Sequence, residues 1–540
     1  MNRILHRLIR GAIAFTLTAS LLLYTSPAQA AQPPATETLP QVLSASSASL
    51  SPQIPADIGI PLSLEKNLLA SGGLSRLQAW FDDFSWQEFV AINWPVGSQG
   101  NPQPNITDDG TPQWATWHES LQVFRPDGSD PQDDTPRLCP QNSRKLRELY
   151  VTSSVFSNTV DSDIADEINQ AFTAPLYDQN GNEVRYEILL NEPEYKYIVE
   201  NKLYNLDGQI EYSQTNHAPV KFPSGNSATG EMGAIEIKLA WKELSDLDIP
   251  SRFYTQTVLL PKLDNNGEPI TNPDGSFKSC TEQQVGLVGM HITQKTNSSP
   301  QWIWSTFEHV DNLNVNDNEF SSDGKPLYAL FHDYSIPGQT LPINVAPIPR
   351  DTNTGKPSAK GIKKTQVARL IPIPGLAQQI NTIYQQALAG AGSPLQYYEL
   401  IDTQWPTAPY PDFTNYAAVA GSSFPGNLPE AITNKSTGAP VPVYLTNSIM
   451  ETYFQAGNQP AHFQENGFPF VNTSVFGTES CMACHFSAGI ASGYEVKNTN
   501  GKEIKVPIFG GDLTGDFSWL LQQKAQFKEQ EKVFKRALAR

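Results

Sequence analysis

The sequence predicts an α+β fold, an antiparallel β-sheet flanked by helices. Two observations predict it. Apolar residues alternate with period two in short runs between residues 184 and 334, and they recur at helical spacing before and after that region. Leu74 to Asn93 reads as the first helix, because Leu77, Trp80, Phe81, Phe84, Phe89 and Ile92 share a helical stripe and Pro95 ends the run. Loops rich in Asn, Pro, Asp and Gly follow, broken by a short segment at Trp114–Phe124. The candidate strands are Tyr195–Glu200, Gly233–Trp241, Tyr254–Leu260, Val285–Lys295 and Gln301–His309. In the second, Ile235, Ile237, Leu239 and Trp241 alternate with Glu236 and Lys238, the pattern of a half-buried strand. Asp264-Asn265-Asn266-Gly267 and Asn272-Pro273-Asp274-Gly275 mark turns. Pro337 to Pro374 is Pro-rich and reads as a surface crossing. Leu376–Leu388 and Asn447–Phe454 look helical, and Asp516 is expected to open a helix to Arg540 with Phe517, Leu520, Leu521, Phe527 and Phe534 on its apolar side.

Composition narrows the function classes. The 540 residues include 36 Gly and 43 Pro, too few for a collagen-like or globally disordered chain, and ten Trp argue for folded protein. A formal charge of −18 opposes phosphate-backbone binding, so nucleic acid is excluded as a partner. At the N-terminus, Arg3, Arg7 and Arg10 precede an apolar run from Gly11 to Tyr24 and a small-x-small end, Ala28-Gln29-Ala30. This is the order of a secretory signal peptide with cleavage near Ala30. A membrane anchor competes, but fourteen residues at ~1.5 Å each span about 21 Å, short of a hydrocarbon core of about 30 Å. The expected division is residues 1–30 as signal peptide and 31–70 as a Pro/Ser/Ala-rich lead-in. A helical and loop segment (71–150), an antiparallel β region (151–340) and a helical region (341–540) follow. The mature chain is expected to be periplasmic or secreted, with no membrane span.

Export fixes how the four cysteines are read. Cys481-Met482-Ala483-Cys484-His485 is the attachment signature of a c-type haem. Two thiols three residues apart lie on one side of a helical turn and can bond both vinyl groups of one porphyrin, and His485 follows as proximal ligand to the iron. A thioredoxin-like pair would need a cytosolic βαβ context, and a structural zinc site would need a second ligand pair. We therefore expect one covalent haem c on Cys481 and Cys484, with His485 on the metal. The remaining pair, Cys139 and Cys280, is expected to form a disulfide.

The sixth ligand separates the function classes, since a strong one suits electron transfer and an open face permits binding or catalysis. Met290, Met450, His291, His309 and His462 are the candidates, or no protein group at all. Met482, inside the attachment loop, is poorly placed to reach the opposite face. Met residues in apolar strands are more often core filler. If Lys295 faces Gln301 in a hairpin, His291 faces Ser305 and His309 faces Leu287. The two histidines then share a face about 13 Å apart at ~3.4 Å per residue, too far for one hydrogen bond. Glu308 would lie on the other face with Trp302, Trp304 and, diagonally, Met290. There it is either a proton shuttle or a carboxylate paired with a cation.

The strings Trp86-Gln87-Glu88-Phe89-Val90-Ala91-Ile92-Asn93-Trp94-Pro95, Gly289 to Asn312, and Asn447–Tyr453 followed by the haem motif resemble a group of exported bacterial single-haem cytochromes c with no assigned reaction. The likeness covers most of residues 75–525. Gly233-Ala234-Ile235-Glu236-Ile237-Lys238, the Trp302–Phe307 strand and the haem motif followed by Asp516-Phe517 look, more loosely, like the β-barrel cytochromes that oxidise hydroxylamine or bind nitric oxide. That resemblance implies a sheet or barrel core with the haem-attachment segment and a helix at the C-terminal end. Three functions stay open. One is an electron-transfer cytochrome whose acidic surface steers it to a redox partner with a basic docking patch. The second is a haem enzyme acting on a small nitrogen oxide, peroxide or organic substrate. The third is a haem-based sensor or binding module.

Overall fold

The structure, a computed structural model, describes residues 48–71, 73–132, 137–140, 146–149, 176–264, 269–273, 276–313, 328–335, 343–345, 364–369, 372–407, 445–454, 464–465, 468–469, 481–485, 488–499 and 502–528. The expected signal peptide and His462 lie outside these residues.

Helices α1 (Leu62–Ser71) and α2 (Leu74–Ile92) open the described chain. Two short strands, β1 (Pro95–Val96) and β2 (Thr111–Pro112), pair with each other. They are followed by β3 (His118–Glu119), α3 (Ser120–Val123) and β4 (Arg147–Glu148). Then come β5 (Arg185–Leu190), α4 (Glu192–Glu200), α5 (Leu206–Asn216), β6 (Ile235–Glu243), β7 (Thr255–Pro261), β8 (Cys280–Gln294) and β9 (Ile303–His309). After α6 (Gly375–Gly390) and β10 (Tyr398–Gln404), a small pair β11 (Gln464–Glu465) and β12 (Phe468–Pro469) precedes α7 (Cys481–His485). A long hairpin, β13 (Gly489–Thr499) and β14 (Lys502–Thr514), and a short α8 (Leu520–Gln523) complete the described chain.

The fold is α+β, as the sequence predicts. One curled sheet runs in the order β10-β9-β8-β6-β5-β3, and β7 joins it along the first half of β8. Its pairs are antiparallel except β4 with β7, which makes the sheet mixed. One face, carrying Ile235, Ile237 and Leu239 of β6 with Met290 and Ile292 of β8, packs on Trp86 and Phe89 of α2 and on Ile380, Tyr384 and Leu388 of α6. Phe89 stacks on Phe307 of β9 at 4.2 Å between ring centres, and Trp86 on Tyr384 at 5.1 Å. The opposite face is where the functional candidates gather.

Cys139 and Cys280 are bridged, with Cα atoms 5.8 Å apart. The bond ties the segment before β4 to the start of β8, beside the β4–β7 pair that it supports.

Several expectations need correction. Tyr195–Glu200 is helix, not strand. Asn191 caps α4 by accepting a hydrogen bond from Glu194 N at 3.2 Å, and Pro193 lies in the first turn. Among the described residues after 340, strands are as prominent as helices, because they supply β10 to the sheet and the hairpin β13–β14. The boundaries expected at residues 150 and 340 divide no unit, since the sheet draws strands from both sides of each. Residues 447–454 are turns ending in a short 3-10 stretch at Thr452–Phe454. Asp516 opens no helix: Asp516 and Phe517 have φ of 51° and 71°, and only Leu520–Gln523 beyond them is helical among the described residues. The lead-in packs on the body from residue 48 onwards, with Pro52 O accepting from Gln113 Nε2 and Pro55 O from Gln294 Nε2. Among the described residues no helix is long and apolar enough to cross a membrane.

Candidate functional site

The pairing of β8 with β9 determines which residues meet. Gln294 faces Ile303, so Thr293 faces Trp304, His291 faces Thr306 and Gly289 faces Glu308. This register is one residue away from the expected one. Trp302 takes a left-handed φ of 69° and leaves the strand, its indole Nε1 donating to Asp516 O at 2.9 Å. A slip of one residue exchanges the faces of every side chain beyond it. His291 and His309 therefore lie on opposite faces, and Glu308 shares a face with His291 rather than with Met290.

That face carries Glu236 and Lys238 from β6, His291 and Thr293 from β8, and Trp304 and Thr306 from β9. The Asn447–Tyr453 segment covers part of it: Asn447 Nδ2 donates to Thr306 Oγ1 at 2.9 Å, and Tyr186 OH to Ile449 O at 3.0 Å. Glu451 accepts from His291 Nε2 at 2.7 Å and from Asn447 N at 2.9 Å. Burial works against the Glu451 charge, but His291 and Lys238 together hold its carboxyl below the usual range. Burial lowers Lys238 to about 8, against the pull of Glu451 and Glu236. Glu236, raised by burial to about 7, accepts from Ser518 Oγ at 2.9 Å. Lys524 is brought down to about 8 by burial and by the charge of Lys238.

The Cys-Met-Ala-Cys-His motif forms the single turn α7 beside this face. Cys481 is half-buried, and Cys484 is on the same turn. Met482 is buried in a cluster with Trp302, Trp304, Phe517 and Leu520, and its N–H donates to Gln404 Oε1 of β10 at 3.0 Å. The imidazole of His485 sits 4.6 Å from the Trp304 ring, and its Nδ1 lies 2.8 Å from Phe517 O. A carbonyl only accepts, so Nδ1 carries the hydrogen and Nε2 the lone pair. Among the described residues nothing hydrogen-bonds that Nε2. Burial also keeps the ring neutral, lowering it to about 4 against the Phe517 carbonyl. Two cysteine positions on one turn and a neutral imidazole with its tautomer fixed fit the donor set that a covalently attached haem requires.

The other ligand candidates separate cleanly. Met290 faces the core, 3.7 Å from Asn93 Nδ2. Met450 is buried with Ala240 and Val288, its methyl over Gly289. Both nitrogens of His309 are engaged, Nε2 near Arg252 O at 3.0 Å and Nδ1 near Asp311 N at 3.1 Å, so it cannot serve as ligand without breaking its own support. Of the described candidates, His291 and Met450 share the face beside which His485 lies, and Met450 is packed there over Gly289. Glu308 is paired, with Arg369 Nη2 at 2.7 Å and Ser448 N at 2.6 Å. The sequence reasoning passed over Lys238, Glu451 and Lys524, whose roles come from tertiary packing. Only Lys238 carried a signal, its outward place in an alternating strand.

Among the described residues no group of three or more His, Cys, Asp or Glu gathers as a metal-binding cluster. No protein-family model, curated protein or solved structure matches the chain.

Proposed function

We propose that this chain is an exported c-type cytochrome, with one haem held covalently by Cys481 and Cys484 and by His485 at the iron. The observation that carries this reading is the Nδ1–Phe517 hydrogen bond, which directs the lone pair of His485 to Nε2 on the turn that carries both cysteines. The leader-like N-terminus and the likeness to exported single-haem cytochromes c support it. The Cys139–Cys280 bridge is the pairing an oxidising compartment permits. A bound haem supplies a one-electron redox centre. The chain orients the proximal imidazole through Phe517, excludes water from it with Trp304 and Met482, and sets charged groups on the neighbouring sheet face. Expression with a cytochrome c maturation system should give haem staining that survives denaturation and disappears in the Cys481→Ala/Cys484→Ala double variant. Covalent haem retained in that variant would overturn the assignment.

The sheet face favours redox chemistry on a small substrate over electron carriage alone. Glu451 fixes His291 through Nε2, which leaves Nδ1 to take or give a proton, and Lys238 stands directly across the β6–β8 pair. Electron delivery would then come from a redox partner whose basic patch complements the acidic chain. Ferrous protein that is high-spin and binds carbon monoxide readily supports this reading, and a low-spin, carbon monoxide-resistant spectrum supports a carrier.

A further inference from the structure

A second pocket stands beside the β9–β10 edge and does not depend on the haem reading. It encloses about 420 Å³. Leu313, Val367 and Ile373 supply an apolar wall, and Arg369, Gln385 and Glu399 supply polar groups. Glu399 of β10 pairs directly across from Glu308 of β9, yet the two carboxyls differ in their surroundings. Glu308 is matched by Arg369 at 2.7 Å and by the N–H of Ser448 at 2.6 Å. Glu399 is half-buried and receives no hydrogen bond among the described residues. Among the described residues Arg369 is ion-paired with Glu308, and an ionised Glu399 forms no ion pair.

The amide groups around Glu399 point to what would answer that charge. Gln385 spends its NH₂ on Tyr398 O at 2.9 Å, and Gln378, also lining the pocket, spends its own on Ile373 O at 2.7 Å. Asn381 has its amide oxygen occupied, accepting from Trp86 Nε1 and Leu400 N, and it donates to Leu400 O. Each of these NH₂ groups keeps a second N–H, but the Glu399 carboxylate and the amide oxygens of Gln378 and Gln385 are acceptors in this pocket that no described residue uses. We propose that this pocket binds a small primary amine in its ammonium form. Its three N–H groups would meet those acceptors, and its hydrocarbon body would lie on Leu313, Val367 and Ile373. Burial pushes Glu399 up to about 7, with Arg369 pulling it down and Glu308 pushing it up, and a bound ammonium would favour its ionised form.

Calorimetric titration of the full-length protein with n-butylammonium chloride, n-butanol and sodium butyrate tests the assignment. Five heavy atoms at the high efficiency of very small ligands, well above the drug-sized value, give an expected Kd of about 1 mM for butylammonium. Butanol and butyrate should bind at least about tenfold more weakly, because neither supplies a charged donor. Glu399→Gln should weaken butylammonium binding by at least about tenfold, and Gln385→Met by a smaller factor. Equal binding of butanol, preferential binding of butyrate, absence of butylammonium binding, or unchanged binding to a folded Glu399→Gln protein would each overturn the proposal. If that variant does not fold, the comparison of three ligands on the unaltered protein decides, together with Gln385→Met. Loss of haem in the Cys481→Ala/Cys484→Ala variant should leave the titration unchanged.

Discussion

The carbonyl oxygen of Phe517 lies 2.8 Å from Nδ1 of His485, and Phe517 reaches that position with a φ of 71°. A left-handed backbone costs a bulky residue about 1–3 kcal/mol, so the surroundings must hold it. The preceding residue does so. Asp516 is ion-paired with Lys295 and accepts from Phe222 N at 2.7 Å, while its carbonyl accepts from Trp302 Nε1 at 2.9 Å. The orientation of His485 thus rests on a buried ion pair, two elements away in the chain.

Asp516→Ala should therefore destabilise the protein by about 3 kcal/mol, because it leaves Lys295 charged and buried without its partner. Urea unfolding measures this. A midpoint within error of the unaltered protein would show that Asp516 does not hold the segment.

Glu65 on α1 is 1% exposed and neither of its carboxyl oxygens has a hydrogen-bond partner among the described residues. Burial, with Asp57 adding to it and Lys66 opposing, raises it from 4.5 to about 8. A folded-state value above the unfolded one means that the protonated form stabilises the fold. That contribution is full below about pH 4.5 and is lost as pH rises through 8. Stability should fall between pH 5 and 8, and Glu65→Gln should flatten that fall by on the order of 3 kcal/mol. Denaturant midpoints at a series of pH values check it, and an equal slope in both proteins would contradict it.

Cys139→Ser/Cys280→Ser should lower stability by about 2–4 kcal/mol, since the bridge closes a separation of 141 residues. Thermal unfolding without reductant should show the loss, and reductant should lower the unaltered protein towards the variant. Equal melting temperatures would contradict this.

His291 has its outer nitrogen Nε2 held by Glu451, which argues for proton handling rather than iron ligation. In the haem-loaded protein, His291→Ala should leave the ferrous spin state and carbon monoxide binding unchanged. A low-spin spectrum that becomes high-spin in the variant would instead make His291 the sixth ligand.

Some of this was legible in the sequence and some was not. The helices α2 and α6 declared themselves because each places apolar residues at helical spacing that reach the core. The disulfide followed from two leftover cysteines in a chain that reads as exported. Tyr195, Tyr197 and Val199 mimic a strand, but Asn191-Glu192-Pro193-Glu194 is a helix-start signal that outweighs the alternation. The β13–β14 hairpin carries few apolar residues, and the one strong mark was the Asn500-Gly501 pair between its strands. The register of β8 and β9 was beyond reach, because it turns on the single left-handed residue Trp302, held from 214 positions away by Asp516. The attachment motif was plain in the sequence, whereas Lys238, Glu451 and Phe517 acquire their roles only when the sheet brings distant segments together.

The most direct test of the central claim is the intact mass of the protein, produced with a cytochrome c maturation system and measured under denaturing conditions. Covalent attachment through Cys481 and Cys484 predicts the mass of the mature chain plus one haem, with both thiols closed to alkylation. A bare-chain mass with Cys481 and Cys484 both alkylated would contradict it.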